Sequence, residues 1–560
     1  MSPERQGRRL LGQILKGRGV VREGQIQEAL AAQRKHGGLI GQHLLALGYC
    51  TSADIASALA EQANLQALDL ERWQPDPEAL ARIDATTAHT YGALPVSLAG
   101  GVLTVAIADP LNTAILEDLA FATGLEVRGA MADAAQLRKK VREHYGEETS
   151  LADAIAEASR SSHAADPSSA AASAPVVRLL NSILQRAIRD RASDVHFEVF
   201  PDVLRIRYRV DGALYEVESP PAHLSAPLIA RIKVMSDLDI AETKLPQDGR
   251  IALAIDGRPV DLRVATLPGV SGEGCVLRVL DRSAVSLDLA ALGLAADEIG
   301  ALERATQLPH GIVLVSGPTG SGKTTTLYAM LNRANDEAIK IITVEDPVEY
   351  DIDGIVQIPI NEEIGVTYPS VLRTVLRQDP DKILVGEIRD RETAQVAVEA
   401  SLTGHTVFAT VHTNDAPSAI TRLVDLGLEP FLITATLEVV VAQRLVRRVC
   451  TDCKEAYEPD EDLLRELGPE GERLRGARLF FGKGCERCFH TGYRGRTAIC
   501  EIMPMNDALR AAILRRASTA EVRELAQANG MRVLRESGIA VVLEGVTSLE
   551  EITRGTLGTW

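Results

Sequence analysis

Residues 311–325 read GIVLVSGPTGSGKTT, and this stretch decides the fold. The apolar run at 312–315 predicts a buried strand, and residues 325–332 predict a helix. The loop between them has the pattern G-x-x-x-x-G-K-[ST]. Its glycines allow a tight turn, and its backbone N–H groups suit an anion at the start of a helix. A glycine-rich turn without a ligand is the alternative, but the strand–loop–helix context favours nucleotide binding.

The polar residues of this loop have separate expected tasks. We expect Lys323 to reach the β- and γ-phosphates of ATP, and the hydroxyl of Thr324 to bind Mg²⁺. The residues expected to contact the nucleotide are Gly317, Pro318, Thr319, Gly320, Ser321, Gly322, Lys323, Thr324 and Thr325.

Length and composition restrict the class of protein. The 560 residues suffice for about three or four domains. The net charge of −17 gives no basic footprint for DNA or RNA, so no direct contact with nucleic acid is expected. The sequence has no apolar run long enough for a membrane span and no secretory signal at Met1. We therefore expect a cytoplasmic protein, and any association with a membrane is expected to go through protein partners.

Polar residues follow the apolar runs downstream of the loop. The runs are followed by E-D-P-V-E (345–349), G-E-I-R-D (386–390) and H-T-N-D (412–415). Parallel strands place the residues after their carboxyl ends at one edge of the sheet. These segments are therefore predicted to complete a site that begins at the glycine loop.

Five residues of these segments are candidates for catalysis. Glu387 is expected in the Mg²⁺ shell through water, and Glu349 or Glu345 is expected to orient and deprotonate the attacking water. Neutral His405 and His412 are expected to sense the γ-phosphate or to hold that water. Each histidine taken alone is also explained as a buried core residue.

Four motifs in this part of the chain carry a family resemblance. They are T-x-E-D-P-x-E (343–349), L-R-x-x-L-R-Q-D-P-D (372–381), V-G-E-I-R-D (385–390) and T-G-H-x-x-x-A-T-x-H-T-N (403–414). Together they resemble the secretion ATPase superfamily, and most closely the type II secretion ATPases and the type IV pilus extension ATPases. The resemblance extends over roughly residues 175–560, and the N-terminal part is compatible with it.

The resemblance implies a mechanism as well as a fold. The implied fold is α/β, with a RecA-like P-loop ATPase core behind an α+β, PAS-like domain. Glu349 is implied as the catalytic glutamate, Glu387 as the Walker B acid, and His405 and His412 as the paired histidines of the family. A ring-shaped homo-hexamer is implied, with ATP bound between subunits.

The resemblance also implies partners. A pilus or pseudopilus would be assembled through an inner-membrane platform protein, and the N-terminal part would bind a cytoplasmic adaptor domain of a membrane protein. A DNA-uptake or DNA-transfer ATPase of the same superfamily is the alternative within this class. A regulatory nucleotide-binding module that responds to cyclic di-GMP is the alternative from another class.

The domain before the motor contains arginines on predicted strands. Ordinary ion pairs or solvated strand faces explain any one of them. By the family resemblance, Arg263 and Arg278 are the best candidates for arginines that contact the nucleotide of a neighbouring subunit.

Two C-x-x-C pairs predict a metal site. Cys450 and Cys453 form one pair, and Cys485 and Cys488 form the other. In a cytoplasmic chain, two such pairs indicate a structural zinc ion bound by four thiolates. Free thiols or redox pairs are the alternatives. By the resemblance, the extension ATPases carry this insert.

The N-terminal part contains an internal repeat. Gly12, Gly19, Ile26, Leu30 and Gln33 recur 29 positions later as Gly41, Gly48, Ile55, Leu59 and Gln62. The bland explanation is a pair of packed helical hairpins. The repeat also resembles the paired motifs that bind cyclic di-GMP in some secretion and pilus ATPases. Those motifs begin with arginine, whereas Leu10 and Leu39 stand at the corresponding positions here.

These observations predict the following domains. They are a helical repeat (1–65), a small α/β adaptor (66–146), a flexible linker (147–174), an α+β domain (175–295), the ATPase core (296–447), a zinc-binding insert (448–495) and a C-terminal helical subdomain (496–560).

Overall fold

The computed structural model describes most of the chain. The described residues are 11–36, 39–63, 65–83, 85–108, 115–116, 119–120, 123–145, 151–161, 171, 173–255, 258–281 and 287–556. The chain forms two compact units, Met1–Val285 and Ser286–Trp560. Among the described residues, no helix has both the length and the apolar content to cross a membrane.

The N-terminal repeat forms two equivalent helical hairpins. The helices are α1 (Leu11–Gly17), α2 (Glu23–His36), α3 (Ile40–Ala46) and α4 (Ser52–Ala63). A Cβ on Gly12 would lie 3.3 Å from the Ile26 side chain, and a Cβ on Gly41 would lie 3.4 Å from that of Ile55. Each glycine therefore allows an isoleucine of the other helix in its hairpin to approach closely. The repeated glycines and isoleucines form the contact between the two helices of each hairpin. This agrees with the interpretation of the repeat as packed hairpins.

A small α/β layer follows the hairpins. Its elements are β1 (Gln66–Leu68), α5 (Pro77–Leu80), α6 (Ala85–Tyr91), β2 (Leu94–Ala99), β3 (Val102–Ile107), β4 (Glu126–Ala132) and α7 (Ala134–Tyr145). The sheet order is β1-β4-β3-β2, and only the β2–β3 pair is antiparallel. Leu137 and Val141 of α7 belong to the buried core of this layer.

Part of the predicted linker is folded. Residues 151–161 form α8 (Leu151–Ser161), and its Leu151, Ala154 and Ala158 are buried in the core of the following domain. The prediction of a flexible linker is therefore wrong for this helix. Small apolar residues at helical spacing give it a buried face, which the Ser/Ala-rich composition does not reveal. Residues 147–150, 162–170 and 172 lie outside the described part.

The α+β domain consists of two helices and an antiparallel sheet. Its elements are α9 (Ala174–Arg189), β5 (Asp194–Val199), β6 (Leu204–Val210), β7 (Ala213–Glu218), a short 3₁₀ turn (Ala222–Leu224), α10 (Ser225–Met235), β8 (Gln247–Ile255), β9 (Arg258–Gly269) and β10 (Gly272–Asp281). The strand order is β7-β6-β5-β10-β9-β8. Both helices pack on one face, where Val195, Ile206 and Leu262 are buried. The opposite face carries the arginines.

The second unit is built on a seven-stranded sheet in the order β13-β12-β14-β15-β11-β16-β19. Its core elements are a 3₁₀ turn (Leu289–Leu292), α11 (Ala296–Thr306), β11 (Gly311–Ser316), α12 (Lys323–Ala334), β12 (Ile341–Glu345), β13 (Ile355–Pro359), a 3₁₀ turn (Glu362–Ile364), α13 (Tyr368–Val375), β14 (Lys382–Val385), α14 (Arg391–Leu402), β15 (Thr406–Val411), α15 (Ala416–Asp425), α16 (Pro430–Thr436) and β16 (Leu437–Val449). Only the β16–β19 pair is antiparallel. Ile312 and Leu314 face one core, and Val313 and Val315 face the other. This two-sided burial is why the strand reads as a continuous apolar run.

The remaining elements form the cysteine insert and the C-terminal helices. They are β17 (Lys454–Tyr457), α17 (Glu461–Glu466), α18 (Pro469–Leu474), β18 (Leu479–Gly482), a 3₁₀ turn (Glu486–Cys488), β19 (Tyr493–Pro504), α19 (Asp507–Leu514), α20 (Thr519–Ala528), α21 (Leu534–Leu543) and α22 (Leu549–Gly555). β19 returns from the insert to the main sheet beside β16.

One buried carboxylate links the sheet to two helices. Glu501 of β19 is 2% exposed, and its Oε2 and Oε1 accept hydrogen bonds from the N–H groups of Ala416 (2.9 Å) and Leu534 (3.0 Å). Ala416 and Leu534 are the first residues of α15 and α21. The carboxylate therefore satisfies one donor at each helix start.

We predict that Glu501→Ala lowers the stability of this unit by about 2–4 kcal/mol, because two buried N–H groups lose their acceptor. The measurement is the thermal unfolding transition of the full chain. Glu429→Ala is the matched control, since its ion pair with Arg516 is solvent-exposed and weak. Equal shifts in the two variants would contradict the prediction.

Candidate nucleotide and metal sites

The glycine loop has backbone angles that exclude side chains. Gly317, Gly320 and Gly322 have φ values of +149°, +78° and +86°. A Cβ on Gly317 would also lie 2.6 Å from the Gln443 carbonyl oxygen. Helix α12 begins at Lys323, directly after the loop. The predicted strand–loop–helix arrangement is present, and the loop leads into the amino end of a helix, where anions are favoured.

Gln443 braces this loop from the neighbouring strand β16. Its side-chain amide donates to the Ser321 carbonyl (2.8 Å), and its carbonyl oxygen accepts from the Thr326 hydroxyl (2.7 Å). Gln443 is 1% exposed. Sequence reasoning missed this residue, because a lone glutamine in an apolar run gives no signal of its partner.

Lys323 lies folded back over the loop. Its Nζ donates to the carbonyl oxygens of Gly317 (2.8 Å) and Pro318 (3.1 Å) and lies 3.4 Å from Nδ1 of His412. Burial lowers the pKa of Lys323 from its usual value, and the nearby Glu387 carboxylate opposes that shift. The Lys323 ammonium group therefore contacts two carbonyl oxygens of the loop. Phosphate oxygens would replace these carbonyls as its partners.

Glu387 lies at the centre of a charged chain beside the loop. Its Oε1 is 3.1 Å from Nε2 of His412, and its Oε2 accepts from Nε of Arg389 (2.6 Å). Arg389 in turn lies 3.8 Å from Asp346. The hydrogen bond from Arg389 to Glu387 raises the pKa of the guanidinium. The structure thus brings Lys323, His412 and Glu387 together, as their places after parallel strands predict.

The two candidate base residues have different surroundings. Glu345 is 3% exposed, and it accepts hydrogen bonds from Thr343 (2.5 Å), Gln357 (3.3 Å) and the Tyr328 hydroxyl. Glu349 is half-buried, and its N–H donates to the Tyr328 hydroxyl at 3.3 Å. Glu345 is therefore enclosed by protein donors, whereas Glu349 is partly exposed.

His405 does not lie at the loop of its own chain. The six residues of β15 separate it from His412, and an extended strand of that length spans about 20 Å. Its Nδ1 contacts the Ala400 carbonyl oxygen at 2.8 Å, and its own carbonyl accepts from Gly311 N–H at the start of β11. The structure therefore brings His412, and not His405, beside Lys323 and Glu387 within one chain. The expected tasks of both histidines stay predictions.

Arg263 and Arg278 belong to a row of charges across the α+β sheet. Strand register pairs Arg278 with Arg263, and Arg263 with Arg250. Asp194 pairs with Arg278 on one side and with Arg209 on the other. Asp194 Oδ1 accepts from Nε of Arg278 at 3.1 Å. Adjacent like charges are unfavourable, so this row suits an anion.

The four predicted cysteines form one cluster. The Sγ separations are 3.9 Å for Cys450–Cys485, 3.8 Å for Cys453–Cys488 and 3.7 Å for Cys485–Cys488, and all four sulfurs lie within 4.8 Å of one another. A tetrahedral zinc ion about 2.3 Å from each sulfur separates the sulfurs by about 3.8 Å. The donor set and its spacing therefore fit zinc.

Two N–H groups support this cluster. Gly484 donates to the Cys453 sulfur at 3.3 Å, and Cys485 donates to the Cys488 sulfur at 3.1 Å. Such bonds favour thiolates over thiols. Cys500, the other cysteine in the second half of the chain, is buried in β19 and lies outside the cluster.

The N-terminal repeat has leucines where the motifs that it resembles begin with arginine. Leu39 is 70% exposed at the start of the second hairpin, and Leu10 lies outside the described residues. Lys16 pairs with Glu23 at 2.6 Å, and Arg18 pairs with Glu61 at 2.8 Å. Cyclic di-GMP binding stays a prediction.

Sequence comparisons agree with the motifs. The sequence model of the Type II/IV secretion system protein family matches residues 169–554, and the MshEN domain model matches residues 63–151. The chain is 39% identical to the type IV pilus assembly ATPase PilB of Myxococcus xanthus over 98% of both chains. It is 42% identical to type II secretion system protein E of Xanthomonas campestris, over 92% of this chain and 93% of that one.

A solved structure supports the fold. The ATPase DotB of Yersinia pseudotuberculosis matches with a TM-score of 0.50 and 21% identity, over 68% of this chain and 93% of that chain. The family match covers the phosphate loop, the carboxylates and the cysteine cluster together. The chain therefore belongs to the Type II/IV secretion system protein family.

Proposed function

We propose that this protein hydrolyses ATP to power the assembly of a type IV pilus or a type II secretion pseudopilus. The observation that carries the proposal is the contact chain from Lys323 through His412 to Glu387 beside the phosphate loop. Full-length relatives named as a pilus assembly ATPase and a type II secretion protein supply the process. The intact set of loop and carboxylates also favours hydrolysis over a purely regulatory module.

We assign each residue of the site one task in ATP hydrolysis. Lys323 leaves the Gly317 and Pro318 carbonyls and pairs with the β- and γ-phosphates, where its charge stabilises the developing negative charge. His412 bridges Lys323 and Glu387 and is placed to report the presence of the γ-phosphate. Glu349 orients the attacking water and accepts its proton.

Magnesium fits the oxygen donors at this edge of the sheet. Thr324 follows Lys323 in the first turn of α12, and Glu387, which follows β14, contacts His412 beside Lys323. Hard oxygen ligands and water are what Mg²⁺ prefers. The ion would neutralise phosphate charge, and Glu387 would reach it through water.

The arginine row supports a shared site in an oligomer. In this proposal the chain forms a homo-hexamer, and Arg263 and Arg278 of one subunit approach the ATP of its neighbour. Their side chains lie on the helix-free face of the α+β sheet, and Arg278 is 59% exposed. The N-terminal domain would dock on a membrane protein's cytoplasmic domain, and the ring would act on an inner-membrane platform protein. The protein would thus work in the cytoplasm at the inner membrane.

We predict that Lys323→Ala reduces ATP turnover at least ~100-fold, because a charge that stabilises the transition state is lost. Glu349→Gln should reduce kcat by about 10²–10⁴-fold while ATP affinity stays close to wild type. The measurements are phosphate release and equilibrium binding of a labelled ATP analogue. Undiminished phosphate release by Glu349→Gln would contradict the base assignment.

The trans role of the arginines is tested by mixing inactive subunits. Arg278→Ala alone should lose activity ~10³-fold or more if it acts as an arginine finger. Co-assembly with Lys323→Ala subunits should restore activity at about one interface in four in a randomly mixed ring. Absence of any recovery would argue against the shared site. Arg205→Ala, on the same sheet but stacked on Phe200, is the matched control.

The cysteine cluster is expected to hold one zinc ion per chain. Cys485→Ser should lower the zinc content measured by elemental analysis and destabilise the insert, since such a site contributes on the order of 10 kcal/mol to folding. Cys50→Ser, in the N-terminal hairpins, is the control and should retain zinc. Full zinc content in Cys485→Ser would rule out this ligand set.

A further inference from the structure

Tyr328 is buried against residues 345–349, the segment that contains the proposed base. It lies on α12, the helix that begins at Lys323, and its side chain is 0% exposed. Its hydroxyl donates to Oε2 of Glu345 at the end of β12. The same hydroxyl oxygen accepts from the Glu349 N–H at 3.3 Å. The Tyr328 phenol therefore links helix α12 to the end of β12 and to the main chain of the proposed base.

The direction of these bonds is fixed by chemistry. Burial, followed by the charge of Glu345, raises the pKa of the Tyr328 phenol far above its usual value. The hydroxyl therefore keeps its proton and donates it to the carboxylate. A hydroxyl has one proton and two lone pairs, so a lone pair remains for the Glu349 N–H. Loss of the hydroxyl would remove both contacts at once.

A second residue, Gln357, holds the same segment. Gln357 of β13 donates to the Tyr350 carbonyl (3.0 Å) and accepts from the Ile352 N–H (2.7 Å). Its amide also lies 3.3 Å from Glu345 Oε1. The segment after Glu349 is therefore fixed by Gln357, whereas the N–H of Glu349 itself is held by Tyr328.

We propose that Tyr328 is a positioning residue that fixes the main chain at Glu349, so that the Glu349 carboxylate meets the attacking water. Glu345 then serves as the acceptor that orients the Tyr328 hydroxyl, rather than as a second base. Because Tyr328 and Lys323 share α12, phosphate binding and base placement depend on the same rigid helix. The inference rests on the proposed role of Glu349 in ATP hydrolysis.

Tyr328→Phe isolates the hydroxyl. The ring and its edge-to-face contact with Tyr350, at 6.1 Å between centroids, are retained. We expect kcat to fall about 10- to 100-fold, while KM for ATP changes less than about 3-fold, because a transition-state alignment is lost without a binding contact. Tyr493→Phe, which removes a phenol bonded to Ser548 near the cysteine insert, is the matched control and should retain kcat.

A double-mutant cycle separates positioning from general destabilisation. If Tyr328 acts through Glu349, Tyr328→Phe should leave the residual rate of Glu349→Gln unchanged. Equal fold-losses in the wild-type and Glu349→Gln backgrounds would overturn the inference, as would a wild-type kcat in Tyr328→Phe. An undiminished rate in Glu349→Gln alone would instead overturn the base assignment, and the positioning role with it.

Discussion

The left-handed backbone of the phosphate loop is the constraint on which the rest of the site depends. A side chain at Gly317 would collide with the Gln443 carbonyl, so glycine at this position allows the loop to pack against β16. Strand β11 lies between β15, which precedes His412, and β16, which contains Gln443. The sheet therefore contributes directly to the site, because the strands on either side of β11 supply His412 and the residue that supports the loop.

Short contacts then pass from the loop to the catalytic segments. Lys323 contacts His412, His412 contacts Glu387, and Arg389 lies between Glu387 and Asp346. Further along α12, the Tyr328 hydroxyl contacts Glu345 and the N–H of Glu349. Lys323 is therefore connected to Glu387 through His412, and to the main chain of Glu349 through helix α12 and Tyr328.

The sequence predicted the parts of this arrangement that depend on local pattern. The glycine loop and the strand ends that carry Glu387 and His412 follow from apolar runs and the rule for parallel sheets. The residues alone left Glu345 and Glu349 as alternative bases, and only the family resemblance favoured Glu349. The hydrogen bond from Tyr328 to Glu345 joins residues 17 positions apart, so local pattern did not reveal it. It could not fix the task of His405, because this residue precedes β15 and lies at the opposite end of that strand from His412. It also read α8 as linker, because composition alone did not reveal that Leu151, Ala154 and Ala158 share a buried face.

The central claim is that ATP bound in the glycine loop is hydrolysed by water held at Glu349. The most direct test is a structure of the full chain with Mg²⁺, ADP and a metal fluoride that mimics the transferred phosphate. We expect Lys323 Nζ to leave the Gly317 and Pro318 carbonyls for the fluoride, and the in-line water to lie about 3 Å from the Glu349 carboxylate. An in-line water held instead by Glu345, or a fluoride outside the loop, would contradict it.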